Sequence, residues 1–351
     1  MRRFLSLLLA LLLWSPATAA RAELPLVYPA QTVVSVVRLT RAQRALVAYL
    51  YEPVLAGKEK IDLPAGTRYD DVGPAMTCLM LDYPEMFHVG NNYTITYWEN
   101  SPDEAIAVTP TYRMDAETAM RLRELLYREA LSIIRADRTA LGLHDALVAR
   151  VSYGGSETLR HTAVGALLYG AATCEGYAQA LTLLYRMAGI PCGVVTGVGV
   201  DNGGNGERHA WNIADIAGYT LIDATWNDQE SSGLNTRWYY GLSTRQMAAD
   251  HTPDATMDVP ACSDYAGWHR STGRFADDWL DVYCALQTLV RTGEPVNLRI
   301  VDDALYQSVA GDTGAMLDAY NSWCSDADAF YGGYAYLTCD AQRCIVLMRT
   351  D

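Results

Sequence analysis

Lysine is almost missing from this 351-residue sequence: Lys58 and Lys60 are the only two among 27 basic residues. We attribute that scarcity to the codon bias of the genome. Basic residues are also outnumbered by 41 acidic ones, and the formal net charge is -14. A surface this acidic disfavours nucleic acid and anionic lipid as partners and tolerates cationic substrates.

The sequence also lacks the spacings that hold common cofactors. None of its eight cysteines forms a pair with the two-residue spacing of zinc ligands, so no metal is predicted. The glycine-rich segment 201–206 is no phosphate cradle, because a strand pattern and not a helix follows it. We therefore expect no cofactor. Cys339 and Cys344 flank a predicted hairpin turn and are expected to form a disulfide, whereas Cys192 is expected to be a free, buried thiol.

Long hydrophobic runs are missing after the N-terminus. Residues 1–22 begin with Arg2 and Arg3 and continue with an apolar run and small residues, which predicts a secretory signal cleaved after Ala19, Ala20 or Ala22. Loss of Arg2 and Arg3 takes the charge from -14 to -16. The expected product is a protein of the cell envelope or the extracellular space, with no stable membrane insertion after removal of the signal.

Half of the residues are hydrophobic, enough for a sizeable core in two or three structural units. After the signal at 1–22 we predict an α+β N-terminal unit at 23–137, a core unit at 138–258 and a small α/β accessory unit at 259–351. The N-terminal unit should contain helices at 41–55, 71–82 and 115–135 and a strand pair at 93–98 and 105–109. The tail should contain a helix, a strand at 296–301, one helix over 303–323 and the cysteine hairpin.

Three residues stand in an order that suits thiol chemistry. Cys174 follows a small-residue turn and opens an amphipathic stretch that ends at Gly189-Ile-Pro, so it is predicted at a helix N-terminus. Unpaired N–H groups of a first helical turn and a nearby imidazolium both favour the thiolate, which is the attacking form.

His209 and Asp223 lie in two short alternating segments separated by residues 215–218, which predicts a hairpin. Symmetry about Ile216 predicts that the two side chains stand directly opposite each other on one sheet face. Cysteine, histidine and a carboxylate can then serve as nucleophile, general acid/base and orienting group.

The segment 162–228 resembles the bacterial transglutaminase-like superfamily. The resemblance depends on four matching blocks in the correct order: Cys-Glu-Gly-Tyr-Ala at 174–178, Ala-Gly-Ile-Pro-Cys at 188–192, His-Ala-Trp-Asn at 209–212 and Asp-Ala-Thr-Trp-Asn-Asp at 223–228. It implies a papain-like α+β core in which a helix bearing the cysteine packs on an antiparallel sheet bearing the histidine and the aspartate. It also implies that Cys174, His209 and Asp223 form the catalytic triad.

The superfamily includes cross-linking enzymes, peptidases, deamidases and inactive members, so several functions are open. We expect a cysteine-dependent hydrolase or acyltransferase that acts on peptide or glutamine carboxamide bonds through a thioester, with hydrolysis favoured over cross-linking. Its expected partner is a protein or peptide, including cell-wall peptide. The alternatives are a true cross-linking transglutaminase and a non-catalytic envelope protein that binds peptide or glycan.

Other candidate positions have structural explanations of equal or greater weight. Trp211 and Trp226 either line the cleft or pack in the core, and His161 either approaches the cleft or caps a helix. His88, His251 and His269 are expected to be surface residues or internally satisfied histidines.

Overall fold

The computed structural model describes residues 28–155, 158–201, 203–229, 234–263, 269–270, 272–326 and 334–349. The predicted signal at 1–22 lies outside these residues. Within the described part, no helix combines the length and apolar character needed to cross a membrane. The fold is α+β, as predicted.

The N-terminal elements are three helices and a small antiparallel sheet of order β1-β3-β2. They are α1 (Arg41–Leu55), β1 (Ile61–Asp62), α2 (Tyr69–Asp82), β2 (Val89–Trp98), β3 (Ser101–Tyr112) and α3 (Ala116–Ala136). The helix and strand predictions for this region are confirmed to within a few residues. Local chemistry sets the helix starts: Thr40 and Gln43 form a reciprocal capping box, and Asp115 caps α3 through the N–H of Thr118.

The middle of the chain forms the layer that carries the predicted site. Its elements are α4 (Ala140–Val148), β4 (Ser152–Tyr153), β5 (Ala171–Ala172), α5 (Cys174–Ala188), β6 (Cys192–Val200), β7 (Gly206–Asp215), β8 (Tyr219–Ile222), α6 (Ala224–Asn227), β9 (Asp228–Gln229), β10 (Leu234–Asn235), β11 (Tyr240–Leu242), α7 (Thr244–Met247) and β12 (His251–Pro253). Five of the strands form one antiparallel sheet of order β11-β8-β7-β6-β12.

Helix α5 packs on this central sheet, as the resemblance implied. The side-chain amide of Asn212 on β7 donates to the carbonyl of Ala178 at 2.9 Å and lies 2.9 Å from the Thr182 hydroxyl. The helix ends where Gly189 takes a left-handed conformation with φ +89°, which a residue with a side chain rarely adopts. The predicted span of this helix is confirmed.

The β7–β8 hairpin forms, but its predicted register is wrong by two residues. Asp215 pairs with Tyr219 and Asn212 pairs with Ile222, so the loop is the three residues 216–218, closed by Gly218 at φ +106°. Asp223 therefore lies past the last residue of β8 and not opposite His209. An even shift leaves every side chain on its predicted face, which is why the two residues can still meet.

Two hydrophobic cores lie at the central sheet. The first joins α1 and α2 to sheet residues such as Val195 and Trp211, and the second joins α3, α4 and α5. The side chain of Gln179 on α5 donates to the carbonyls of Met80 and Leu81 at 3.1 and 3.0 Å. The N-terminal elements thus pack directly on the cysteine-bearing helix, and α3 packs with the middle of the chain, so core packing does not mark the domain boundary predicted at 137/138.

The C-terminal elements have a separate core and a sheet of order β13-β14-β16-β15. They are β13 (Phe275–Ala276), α8 (Trp279–Thr292), β14 (Val296–Ile300), α9 (Asp303–Gly311), α10 (Thr313–Asp326), β15 (Tyr334–Cys339) and β16 (Cys344–Arg349). The single helix predicted over 303–323 is wrong. Asp312 leaves the helical conformation and its carboxylate accepts from the N–H of Ala315, so a second helix starts there.

The predicted cysteine hairpin is confirmed, because Cys339 and Cys344 pair directly across β15 and β16. Both are free, buried thiols, so the disulfide expected between them is not formed in this structure. The sulfur of Cys339 instead lies 3.2 Å from the hydroxyl of Tyr239, and that of Cys344 lies 3.3 Å from the carbonyl of Gln342. Cys192 is free and fully buried, as expected.

Candidate active site

Cys174 is the first residue of α5 and is partly exposed to solvent. The first turn of α5 is tightly packed against the preceding segment: a Cβ on Gly176 would lie 2.4 Å from the carbonyl oxygen of Arg160, so only glycine fits. The preceding Thr173 does not cap the helix with its side chain, and its hydroxyl lies 2.8 Å from Nδ1 of His161 instead. The first N–H groups of α5 therefore stay available around the sulfur.

His209 and Asp223 are brought together by the hairpin and by the start of α6. Nε2 of His209 lies 2.7 Å from Oδ2 of Asp223, and both side chains are almost completely buried. Cys174 and His209 line the same cavity, and the neighbouring Cys174 contributes to the raised pKa of His209. Since Nε2 is engaged with the carboxylate, Nδ1 is the ring nitrogen left for the sulfur. The structure thus brings all three predicted site residues together in one row, in which His209 is hydrogen-bonded to Asp223 and shares a cavity with Cys174.

Electrostatics favours the charged forms of the histidine and the carboxylate. Burial opposes a charged imidazole, but the charge and hydrogen bond of Asp223 and the neighbouring Cys174 outweigh it and raise the pKa of His209 to about 10. Burial likewise opposes ionisation of Asp223, but the two histidines beside it hold the pKa of its carboxyl well below the usual range. An imidazolium at neutral pH next to a thiol favours the thiolate.

Two glycines of β6 make room for these groups. A Cβ on Gly199 would lie 2.9 Å from the Trp226 ring and 3.3 Å from the ring of His209. A Cβ on Gly197, which pairs with His209 across the sheet, would lie 2.7 Å from the Trp211 ring. The alternation Gly-Val-Gly at 197–199 is therefore a packing requirement of the site.

His251 is the site residue that sequence reasoning missed. The sequence predicts a surface or an internally satisfied histidine, and His251 is internal: its Nε2 lies 3.2 Å from the same Oδ2 of Asp223 that His209 contacts. Its Nδ1 lies 2.6 Å from Oδ1 of Asp250. His251 opens β12, which pairs with β6, and no local motif marks a residue whose contact depends on sheet order. Only the adjacent Asp250-His251 dipeptide could have suggested a polar site there.

The remaining candidates divide between the cleft and the interior. Trp226 packs against His209, with ring centroids 5.1 Å apart, whereas Trp211 is fully buried. His161 reaches the cleft and also contacts Thr173 beside the cysteine. His88 is internal, with Nε2 3.1 Å from the carbonyl of Val54. His269 is also buried, so neither of these two is a surface residue.

Two cavities meet at His209 and Tyr153. The first, about 580 Å³, contains Cys174 and extends along apolar side chains of the N-terminal elements, including Met80 and Met86. The second, about 430 Å³, has a mixed lining of acidic, amide and aromatic side chains: Asp201, Glu207, Asp228, Gln229, Trp226, Trp238 and Tyr239. The two cavities thus leave space for a peptide chain on both sides of Cys174 and His209.

Among the described residues, His209, Asp223 and His251 are the one group of three whose ligand atoms lie close enough to hold a metal ion, within 4.8 Å of one another. The atoms concerned already carry the hydrogen bonds between the histidines and the carboxylate. An ion at this position would break the His209–Asp223 hydrogen bond, so metal binding and an intact row exclude each other.

The solved structures that match this chain share little of its sequence. The periplasmic domain of TgpA from Pseudomonas aeruginosa bound to ethylmercury is 21% identical with a TM-score of 0.24, over 38% of this chain and 60% of that one. A TGase structure is 13% identical with a TM-score of 0.26, over 39% of this chain and 45% of that one. No protein of curated function matches the sequence. Likenesses this distant carry no argument about the reaction.

The sequence match is more informative. Residues 135–224 match the model of the transglutaminase-like superfamily. This segment contains Cys174, His209 and Asp223, the three residues that the structure brings together. The resemblance seen in the sequence is confirmed: the chain contains a transglutaminase-like domain.

Proposed function

We propose that the protein is a cysteine-dependent acyl-transfer enzyme with Cys174, His209 and Asp223 as its catalytic triad. The observation that carries the proposal is the buried 2.7 Å contact between His209 and Asp223, with a partly exposed cysteine in the cavity that the same His209 ring lines. A structural role alone would not require that a cysteine line a cavity of about 580 Å³.

The reaction follows from the positions of these groups. The Cys174 thiolate forms a bond to a peptide or carboxamide carbonyl carbon, and the oxygen takes the negative charge. The N–H of Cys174, which has no acceptor within the helix, stabilises that oxyanion. His209 gives its proton to the amide nitrogen of the substrate as the C–N bond breaks. The amine departs, and the acyl group stays on Cys174 as a thioester. His209 then takes a proton from water as the water oxygen attacks the thioester carbon. The C–S bond breaks, the acid is released, and the Cys174 thiolate and the protonated His209 are restored.

The two cavities supply the two sides of this reaction. The first contains the cysteine, so it receives the acyl part of a peptide or glutamine-containing protein. The second lies beyond His209, where the leaving amine departs and the next nucleophile enters. Its carboxylates and amide admit water, so hydrolysis is favoured over cross-linking. The aromatic side chains of the second cavity favour the alternative, a true transglutaminase, because they would help to keep water from the thioester.

We further propose that the enzyme acts in the cell envelope or outside the cell, on protein or cell-wall peptide. The support is the signal-like sequence at 1–22 and the net charge of -14, which suits cationic peptides. N-terminal sequencing of the protein from its host tests the location: an N-terminus after residue 19, 20 or 22 is expected, and an intact Met1 would contradict export.

Cys174 should react with iodoacetamide near neutral pH much faster than any other cysteine, because it is accessible and paired with a histidine. His209→Ala should slow this labelling roughly tenfold or more, since the imidazolium that favours the thiolate is lost. Buried Cys192, whose pKa is raised to about 11 by burial, is the internal control. Labelling rates measured by mass spectrometry that are equal at Cys174 and Cys192 in the folded protein would rule out the catalytic assignment.

Asp223→Asn should leave a folded protein whose turnover falls by roughly 10³- to 10⁴-fold, because the amide keeps the shape but cannot stabilise the imidazolium. Its loss of charge should also lower the pKa of His209 from about 10 towards the ordinary value. The labelling rate of Cys174 should change at the pH where His209 loses its proton. In the variant, that change should therefore occur at a lower pH than in the wild type. Turnover, labelling and thermal unfolding are measured together, and an unchanged turnover would remove Asp223 from the triad.

Hydrolysis should remain the main outcome when a primary amine is present at millimolar concentration. The experiment follows a glutamine-containing peptide with and without the amine and scores free acid against amine adduct. The acid is expected to predominate because the second cavity opens to solvent and carries the carboxylates of Asp201 and Glu207. An adduct as the main product would reverse this assignment and identify a cross-linking transglutaminase.

A further inference from the structure

The carboxylate of Asp223 accepts more hydrogen bonds than a triad alone requires. Its Oδ1 accepts from the backbone N–H groups of Thr225 and Trp226 at 2.9 and 3.2 Å. Its Oδ2 lies 2.7 Å from His209 and 3.2 Å from His251. The backbone therefore fixes one oxygen, and two histidines share the other.

The His251 ring has little freedom to move. Its centroid lies 4.4 Å from that of Trp226, 4.9 Å from that of Trp211 and 5.5 Å from that of Tyr239. The side chain is completely buried, and Nδ1 is held by Asp250 at 2.6 Å. A ring enclosed by aromatic side chains and bonded at both nitrogens presents Nε2 to Asp223 in one orientation.

Proton counting gives the direction of these bonds. A neutral imidazole has one N–H and can donate to only one of two carboxylates. Both His251 nitrogens face carboxylate oxygens, so the charged ring, with two N–H groups, satisfies both. Burial opposes that charge, but Asp223 and Asp250 outweigh it and raise the pKa of His251.

We propose that His251 is a positioning residue for the triad: it donates from Nε2 to Oδ2 of Asp223 and so holds the carboxylate where His209 needs it. This inference rests on the proposed function of Cys174, His209 and Asp223. His251 touches neither the sulfur nor a substrate carbonyl in this arrangement, and it acts only through Asp223. Without it, Oδ2 would keep a single partner and lose its fixed direction in a buried site.

The same contacts connect the C-terminal unit to the triad. Oδ2 of Asp250 accepts from the Tyr239 hydroxyl at 2.6 Å and lies 3.5 Å from the amide nitrogen of Gln342, in the turn between β15 and β16. The C-terminal hairpin thus covers the far end of a row that runs from Asp250 through His251 and Asp223 to His209. This hairpin shields the Asp250 carboxylate from solvent and helps to fix its orientation.

Two substitutions separate this role from simple structural support. The carboxamide nitrogen of glutamine reaches the position of Nε2, so His251→Gln keeps a donor to Asp223. That of asparagine reaches only the position of Nδ1, so His251→Asn keeps the contact with Asp250 and loses the one with Asp223. We expect His251→Gln to label Cys174 at nearly the wild-type rate and His251→Asn to be slower by roughly tenfold or more.

Thermal unfolding is measured on both variants, and His269→Gln, which also removes a buried imidazole, controls for lost packing. Equal rates in the two His251 variants, or a faster rate in His251→Asn, would overturn the proposal. If a variant fails to fold, ¹⁵N NMR of the unaltered protein decides: His251 must carry a proton on Nε2, and an unprotonated Nε2 would overturn the proposal. Slow labelling of Cys174 in the wild type would instead contradict the proposed function, whatever the state of His251.

Discussion

The buried contact between His209 and Asp223 is the interaction on which the rest of the site depends. Two ionisable groups excluded from water are stable only when each compensates the other's charge. Here the compensation is mutual, since Asp223 raises the pKa of His209 and the histidines lower that of Asp223. Removing either partner would leave an uncompensated buried charge, so the surrounding structure must keep the pair together.

Much of the architecture can be understood as serving that contact. The β7–β8 hairpin brings the two residues to one end of the sheet, and the first turn of α6 binds the second oxygen of Asp223. Glycines at 197 and 199 leave space for the aromatic rings that exclude water. Helix α5 then places Cys174 in the cavity that His209 also lines, and Asn212 anchors this helix to the sheet while Gln179 anchors it to the N-terminal elements.

Sequence reasoning succeeded where local chemistry determines structure. Neighbouring residues determine the capping box at Thr40, the end of α5 at Gly189 and its start at Cys174. It failed where the outcome depends on the geometry of a loop or on distant pairing. The hairpin register moved by two residues because Gly218 closes a three-residue loop, and the helix over 303–323 broke at Asp312. His251 could not be placed because its position follows from the pairing of β12 with β6, some fifty residues apart in the chain.

In the proposed reaction, Cys174 carries the acyl group as a thioester. The direct measurement is to incubate the protein with an activated ester of an N-protected glutamine, quench it in acid and locate the adduct by peptide mass spectrometry. We expect one acyl group on Cys174, released by hydroxylamine as a thioester is, and strongly reduced in His209→Ala. Acylation at another residue, or acylation of Cys174 that is as fast in His209→Ala as in the wild type, would contradict the account.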